Sequence, residues 1–120
     1  MKYTDNYIDT FNTGIKRAEY SILRKSQTKD DFLKHLLELT LKLKSSKGRI
    51  FFFGNGASAS FANHMALDWS KNGGVFATSL SDSALITALA NDYSYKDCFT
   101  EFCKINDVSN SDLIVTISSS

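Results

Sequence analysis

His64 and Asp68 stand four residues apart in "ASASFANHMALDWSK" (57–71). On a helix that spacing puts both side chains on one face. An imidazole nitrogen and a carboxylate oxygen so placed can share one metal ion, and the carboxylate can move a proton. The same spacing describes a surface His–Asp pair, and spacing alone favours that plainer reading. Just upstream, "GNGAS" (54–58) follows the apolar run "RIFFF" (49–53). Glycine and alanine there leave the backbone open to close approach, and amides at a helix N-terminus form an anion site, most often for phosphate. Gly54, Gly56 and Ala59 also fit G-x-G-x-x-A, a variant of the dinucleotide fingerprint. Its acidic partner would have to be Asp82, later than the usual ~20 residues. No lysine follows the glycines at Walker spacing, which excludes a P-loop.

These residues need elements to hold them. "RIFFF" is apolar without alternation, as a strand covered on both faces should be. Phe61, Met65 and Trp69 give helical spacing from 58 to about 71, closed by "NGG" at 72–74. "VFATSL" (75–80) predicts a second strand, followed by a helix around 83–90, a turn at "NDYSY" and a helix through Phe99 and Phe102. "DLIVTI" (112–117) predicts a third strand. The β-α-β-α-β order predicts a doubly wound parallel sheet with right-handed crossovers and helices on both faces. In the flavodoxin-like order 2-1-3, the loops after strands 1 and 3 meet at the topological switch point. "GNGAS" and the hydroxyls of Ser118, Ser119 and Ser120 would then line one crevice, a phosphate cradle without an arginine or lysine. Ahead of the sheet, Ile8, Phe11, Ile15, Ala18 and Ile22 predict a helix with one apolar stripe, laid on its own sheet or on a second subunit. Thr28 and Asp31 resemble a capping box opening a second helix, with Phe32, Leu33, Leu36, Leu37, Thr40 and Leu43 inward and Ser45, Ser46 and Gly48 at its end.

The chain of 120 residues, with 14 basic against 13 acidic side chains, is one ordinary globular domain at most, and its balanced charge argues against a nucleic-acid surface. No stretch reaches signal-peptide or membrane-span length. Cys98 and Cys103 form neither a CxxC pair nor a disulfide framework, and read as reduced thiols of a cytoplasmic protein.

Four blocks in order, "GNGAS", "ANHMALDW", "SDSALITALANDYSY" and "TISSS", resemble the sugar isomerase (SIS) superfamily, and within it the phosphoheptose isomerases. The resemblance runs from about residue 49 to the end, and more loosely over the N-terminus. It implies an SIS α/β fold assembled as a homotetramer, with residues 1–47 a helical oligomerisation segment and 48–120 the α/β domain. It further implies that this domain continues beyond Ser120 through two more strands and a late helix bearing a Gln and a His. The implied activity is isomerisation of sedoheptulose 7-phosphate to D-glycero-D-manno-heptose 7-phosphate through an enediolate. Position by position, Asn55, Gly56 and Ala57 fall in the substrate loop, where Ala57 replaces a usual glycine. His64 falls on a metal-ligand histidine, and Asp68 on a catalytic glutamate that also contacts substrate and ligates zinc. Asn91 and Asp92 match a substrate-contacting pair, and Ser118, Ser119 and Ser120 the start of the phosphate-binding serine loop.

The chemistry asks for these types. Moving a carbonyl between C2 and C1 means removing a proton beside it, for which a placed carboxylate contributes ~10²–10⁴-fold, while a metal or donors hold the oxygen. Two departures stand out: Asp68 is one methylene shorter than Glu, and Lys71-Asn72 stand where the family often has Gly-Arg. They leave open an alternative, a non-catalytic SIS module that binds a phosphosugar or regulates replication initiation. A nucleotide cofactor on the G-x-G-x-x-A loop is a third.

Overall fold

The computed structural model describes residues 2–119, and Ser120 lies outside the described residues. The chain divides into two compact units, residues 1–38 and 39–120.

The first unit begins with α1 (Lys2–Lys16), which buries none of its side chains. The expected stripe is cut short: the helix stops at Lys16, and Ile22 belongs to a strand. Strands β1 (Tyr20–Ile22) and β2 (Lys25–Gln27) form an antiparallel hairpin that the sequence pattern does not predict. Its two turn residues, Leu23 and Arg24, have φ of 50° and 64°, a left-handed conformation that turns normally reserve for Gly, Asn or Asp. Helix α2 (Lys29–Ser46) opens as expected: the Thr28 hydroxyl accepts the Asp31 amide at 3.1 Å and donates to the Asp31 carboxylate at 2.7 Å. Of the six residues expected inward, Thr40 and Leu43 are buried, whereas Leu33 and Leu37 are exposed. The helix is apolar on more than one side, and periodicity does not say which side the fold covers.

The second unit is the doubly wound sheet. Three parallel strands, β3 (Ile50–Gly54), β4 (Ala77–Ser79) and β5 (Leu113–Ile117), lie in the order β4-β3-β5, which is the expected 2-1-3. Helix α3 (Ala57–Lys71) links β3 to β4; α4 (Ser83–Asp92), a short turn and α5 (Cys98–Ile105) link β4 to β5. The run "IFFF" is buried throughout because its alternate residues serve opposite faces. Ile50 and Phe52 pack with Leu43, Ala62, Ala66 and Val75, while Phe51 and Phe53 pack with Leu80, Leu89, Cys98 and Phe102. Phe51 is 0% exposed and stacks edge-on to Phe102, 6.2 Å between centroids. Removing such a ring costs about 3–5 kcal/mol.

Register matters most for function. Ile50 lies opposite Leu113 and Gly54 opposite Ile117, so β3 and β5 end level and release their loops on the same edge. Arg49 and Asp112 set that register from the other end. Asp112, its side chain 2% exposed, accepts from the Arg49 backbone amide at 3.0 Å, from Nε at 3.0 Å and from Nη2 at 2.8 Å. The guanidinium also donates to the carbonyls of Asn106 and Asp107. Arg49's hydrogen bond, above all, holds the Asp112 carboxyl well below the usual carboxylate range, against the opposing effect of burial.

Candidate anion cleft and His–Asp pair

The level strand ends put the glycine loop beside the serines. A cleft of about 340 Å³ is lined by Gly54, Asn55 and Ser58 on one wall and by Thr116, Ile117, Ser118 and Ser119 on the other, with Phe53 and Phe99 at its base. Among the described residues no arginine or lysine lines it. The expected juxtaposition of Asn55 with Ser118 and Ser119 is present; Ser120 lies outside the described residues.

The loop itself is tightly built. A Cβ added to Gly54 would sit 2.5 Å from the Ser58 carbonyl oxygen and 2.6 Å from its carbon. Gly56 precedes α3 with φ 55° and ψ −124°, a combination that side chains disfavour. The first turn satisfies two amides internally, Ser58 donating to Asn55 O at 3.0 Å and Ala59 to Gly56 O at 3.1 Å. Gly56 and Ala57 amides have no such partner among the described residues. These two are the donors the helix end can offer an anion, fewer than a fully open loop would provide.

A second, smaller cleft of about 170 Å³ shares Gly54, Asn55 and Phe99 with the first and continues past Gly56, Leu80, Ile86 and Tyr95. Between the two, the Tyr95 hydroxyl donates to Asn55 Oδ1 at 2.9 Å. Sequence reasoning marked neither Tyr95 nor Phe99 as a site residue. An aromatic in a turn forty residues from its partner carries no local signal.

His64 and Asp68 do meet. His64 Nε2 lies 3.3 Å from Asp68 Oδ2, with side chains 64% and 42% exposed. Asn72 Nδ2 donates to the other oxygen at 3.2 Å, so the residue at the family's altered position holds this carboxylate. The pair is on the outer face of α3 and does not line either cleft. Asp68 stands eleven residues beyond Ala57, about 16 Å along the helix. Asn91 and Asp92 stand exposed at the C-terminal end of α4, Asn91 Nδ2 donating to Asp92 Oδ1 at 3.0 Å, also outside both clefts. Asp82 serves the fold, capping α4 with its carboxylate, which accepts the Leu85 amide at 2.8 Å. That engages the one acid the nucleotide reading required.

The donor types of His64 and Asp68 suit zinc, but their number falls short. Among the described residues no group of three His, Cys, Asp or Glu could hold a metal, and a catalytic zinc takes three protein ligands.

A parallel sheet with a glycine loop and a serine loop lining one cleft at its switch point defines a doubly wound α/β protein with a candidate ligand site at its strand ends. Comparison with known proteins agrees. The chain is 33% identical over 111 residues to a phosphoheptose isomerase of Helicobacter pylori (strain P12), covering 86% of this chain and 57% of that protein. It is 35% identical over 94 residues to a phosphoheptose isomerase of Thermodesulfovibrio yellowstonii, covering 73% and 46%. The solved structure of phosphoheptose isomerase GmhA from Neisseria gonorrhoeae matches with a TM-score of 0.64 at 25% identity, over 98% of this chain and 61% of that one. No family model matches the chain. The chain spans about half the length of the curated relatives it matches. Its fold is of the phosphoheptose isomerase (SIS) type, and the relatives it resembles are phosphoheptose isomerases.

Proposed function

We propose that this chain is the phosphate-binding part of a phosphoheptose isomerase, taking sedoheptulose 7-phosphate to D-glycero-D-manno-heptose 7-phosphate. The observation that carries this is the cleft between Gly54–Ser58 and Ser118–Ser119, at the strand ends where α/β sheets bind ligands. There the phosphate accepts from the loop amides and serine hydroxyls, and Asn55 contacts the sugar. Asp68 is the base in this proposal: its carboxylate takes the proton from C1 of the ketose and returns it to C2, while the C1 and C2 oxygens exchange carbonyl and hydroxyl roles. Asn91 and Asp92 contact the sugar at its far end.

Because Asp68 stands about 16 Å along α3 from the loop, a second copy bringing its cleft to this helix face suits the arrangement. We therefore include a homo-oligomer, a tetramer by resemblance, in the proposal. The exposed Ile8, Phe11 and Ile15 of α1 suit such an assembly. Zinc on His64 and Asp68 belongs to the proposal only with a further ligand from outside the described residues; when bound it would polarise the sugar oxygens. A cytoplasmic location is part of the same proposal. Among the described residues no helix is long and apolar enough to cross a membrane.

The second reading, a non-catalytic phosphosugar-binding or replication-regulating SIS module, draws on Asp68 itself, whose two oxygens are engaged by His64 and Asn72. Both readings need the cleft. Replacing Ser118 and Ser119 together by Ala should weaken sedoheptulose 7-phosphate binding by at least ~10-fold, since each hydroxyl facing a charged group is worth about 1.5–3 kcal/mol. Unchanged affinity by calorimetry would remove the phosphate from this cleft.

A further inference from the structure

The contact between Tyr95 and Asn55 joins the two clefts, and we infer that Tyr95 is a positioning residue acting through Asn55. This rests on the proposal that Asn55 contacts substrate. An asparagine carboxamide carries an acceptor and a donor on opposite sides, and in the free state it can turn either toward a ligand. Here the phenol, a hydroxyl donor 2.9 Å away, takes Oδ1. Tyr95 lines only the smaller cleft, whereas Asn55 lines both. With Oδ1 committed to the smaller side, Nδ2 is presented to the larger one, where Ser118 and Ser119 stand. The larger cleft then displays donors on both walls, which suits an oxygen-rich, anionic ligand. Without the phenol, half of the carboxamide orientations would turn an acceptor toward those oxygens.

Tyr95 reaches Asn55 from the turn that follows α4, and the chain then runs directly into α5. Cys98 and Phe102 of α5 are buried against β3. The phenol therefore stands on a fixed base although the residue is 58% exposed. A merely decorative surface hydrogen bond between two exposed side chains is the competing explanation, and it predicts no coupling to ligand.

The test is a double-mutant cycle on the full-length protein with Tyr95→Phe, Asn55→Ala and both together, titrated calorimetrically with sedoheptulose 7-phosphate. Tyr95→Phe removes one oxygen and keeps the ring. It should weaken binding about three- to ten-fold in the wild-type background and leave affinity unchanged in the Asn55→Ala background. Equal weakening in both backgrounds, or none in either, overturns the inference. A separate readout needs no ligand: in ¹H–¹⁵N spectra the Asn55 side-chain amide pair should shift in Tyr95→Phe, with Ser118 and Ser119 signals staying in place. An unmoved Asn55 pair overturns the positioning role by itself. Absence of any sugar-phosphate binding by the wild type, with the Asn55 pair still moved by Tyr95→Phe, overturns the phosphosugar reading and the ligand-side role of Tyr95 with it.

Discussion

Gly54→Ala adds a single methyl group and tests how the loop is built. An added Cβ would meet the Ser58 carbonyl oxygen at 2.5 Å, its carbon at 2.6 Å and its Cβ at 2.9 Å. Ordinary contact begins near 3.4 Å, so the first turn of α3 must retreat by roughly 1 Å, and none of these atoms is the end of a flexible side chain. Overpacking of this kind costs about 1–3 kcal/mol, which in a domain of this size lowers Tm by roughly 4–15 °C. The retreat also displaces Ser58, which lines the cleft together with Ser118 and Ser119, and a ~1 Å misplacement at a site can cost about 10²-fold in rate. Gly56→Ala separates sterics from backbone strain. No atom lies within 4 Å of its added Cβ, so its cost is the φ of 55° alone, about 1–3 kcal/mol. Thermal denaturation and calorimetric titration with sedoheptulose 7-phosphate read both effects. Gly54→Ala melting and binding like the wild type would refute the close approach on which the loop's construction depends.

Other substitutions probe the supports of the site. Asp112→Asn keeps volume but breaks the pair that sets the β3–β5 register, and should lower Tm by about 5–10 °C at neutral pH. The Asp112 carboxyl is depressed in the folded state, so its contribution is complete above the unfolded value near 4. It is lost as pH falls from there through the folded value, so in urea melts the gap between wild type and Asp112→Asn should hold steady down to about pH 5 and shrink as the pH falls below about 4. Asp82→Ala removes the α4 cap and should cost about 1 kcal/mol. It should leave sugar-phosphate affinity unchanged; a matching loss of nucleotide binding would revive the cofactor reading.

The sheet was legible because its signals are local and mutually consistent. Ile50–Phe53 is apolar at every position, as a strand covered on both faces is, and the alternation of strand and helix then leaves few topologies. From strand order alone the glycine loop and the serines fall together. The hairpin at Tyr20–Gln27 was hidden because Leu23 and Arg24 occupy left-handed conformations without a residue that announces them. The stripe ending at Ile22 looked continuous because spacings of three and four persist across a helix end that no Gly or Pro marks. Arg49, Asp112 and Tyr95 were invisible for another reason: a charge or a phenol finds its partner through the tertiary fold, dozens of residues away. His64 and Asp68 were found through their neighbours in sequence, since their spacing is common on any solvated helix.

The central claim is that a phosphosugar held by this cleft is isomerised with Asp68 as the base, and turnover of sedoheptulose 7-phosphate followed by NMR tests it most directly. The wild-type protein should form the aldose. Asp68→Asn, which keeps shape and removes the proton acceptor, should lower turnover by at least ~10²-fold with binding largely retained. Asp68→Glu should preserve or raise the rate. Phosphosugar binding without turnover, with or without Zn²⁺, and no rescue by Asp68→Glu, would contradict the account and leave a binding module in its place.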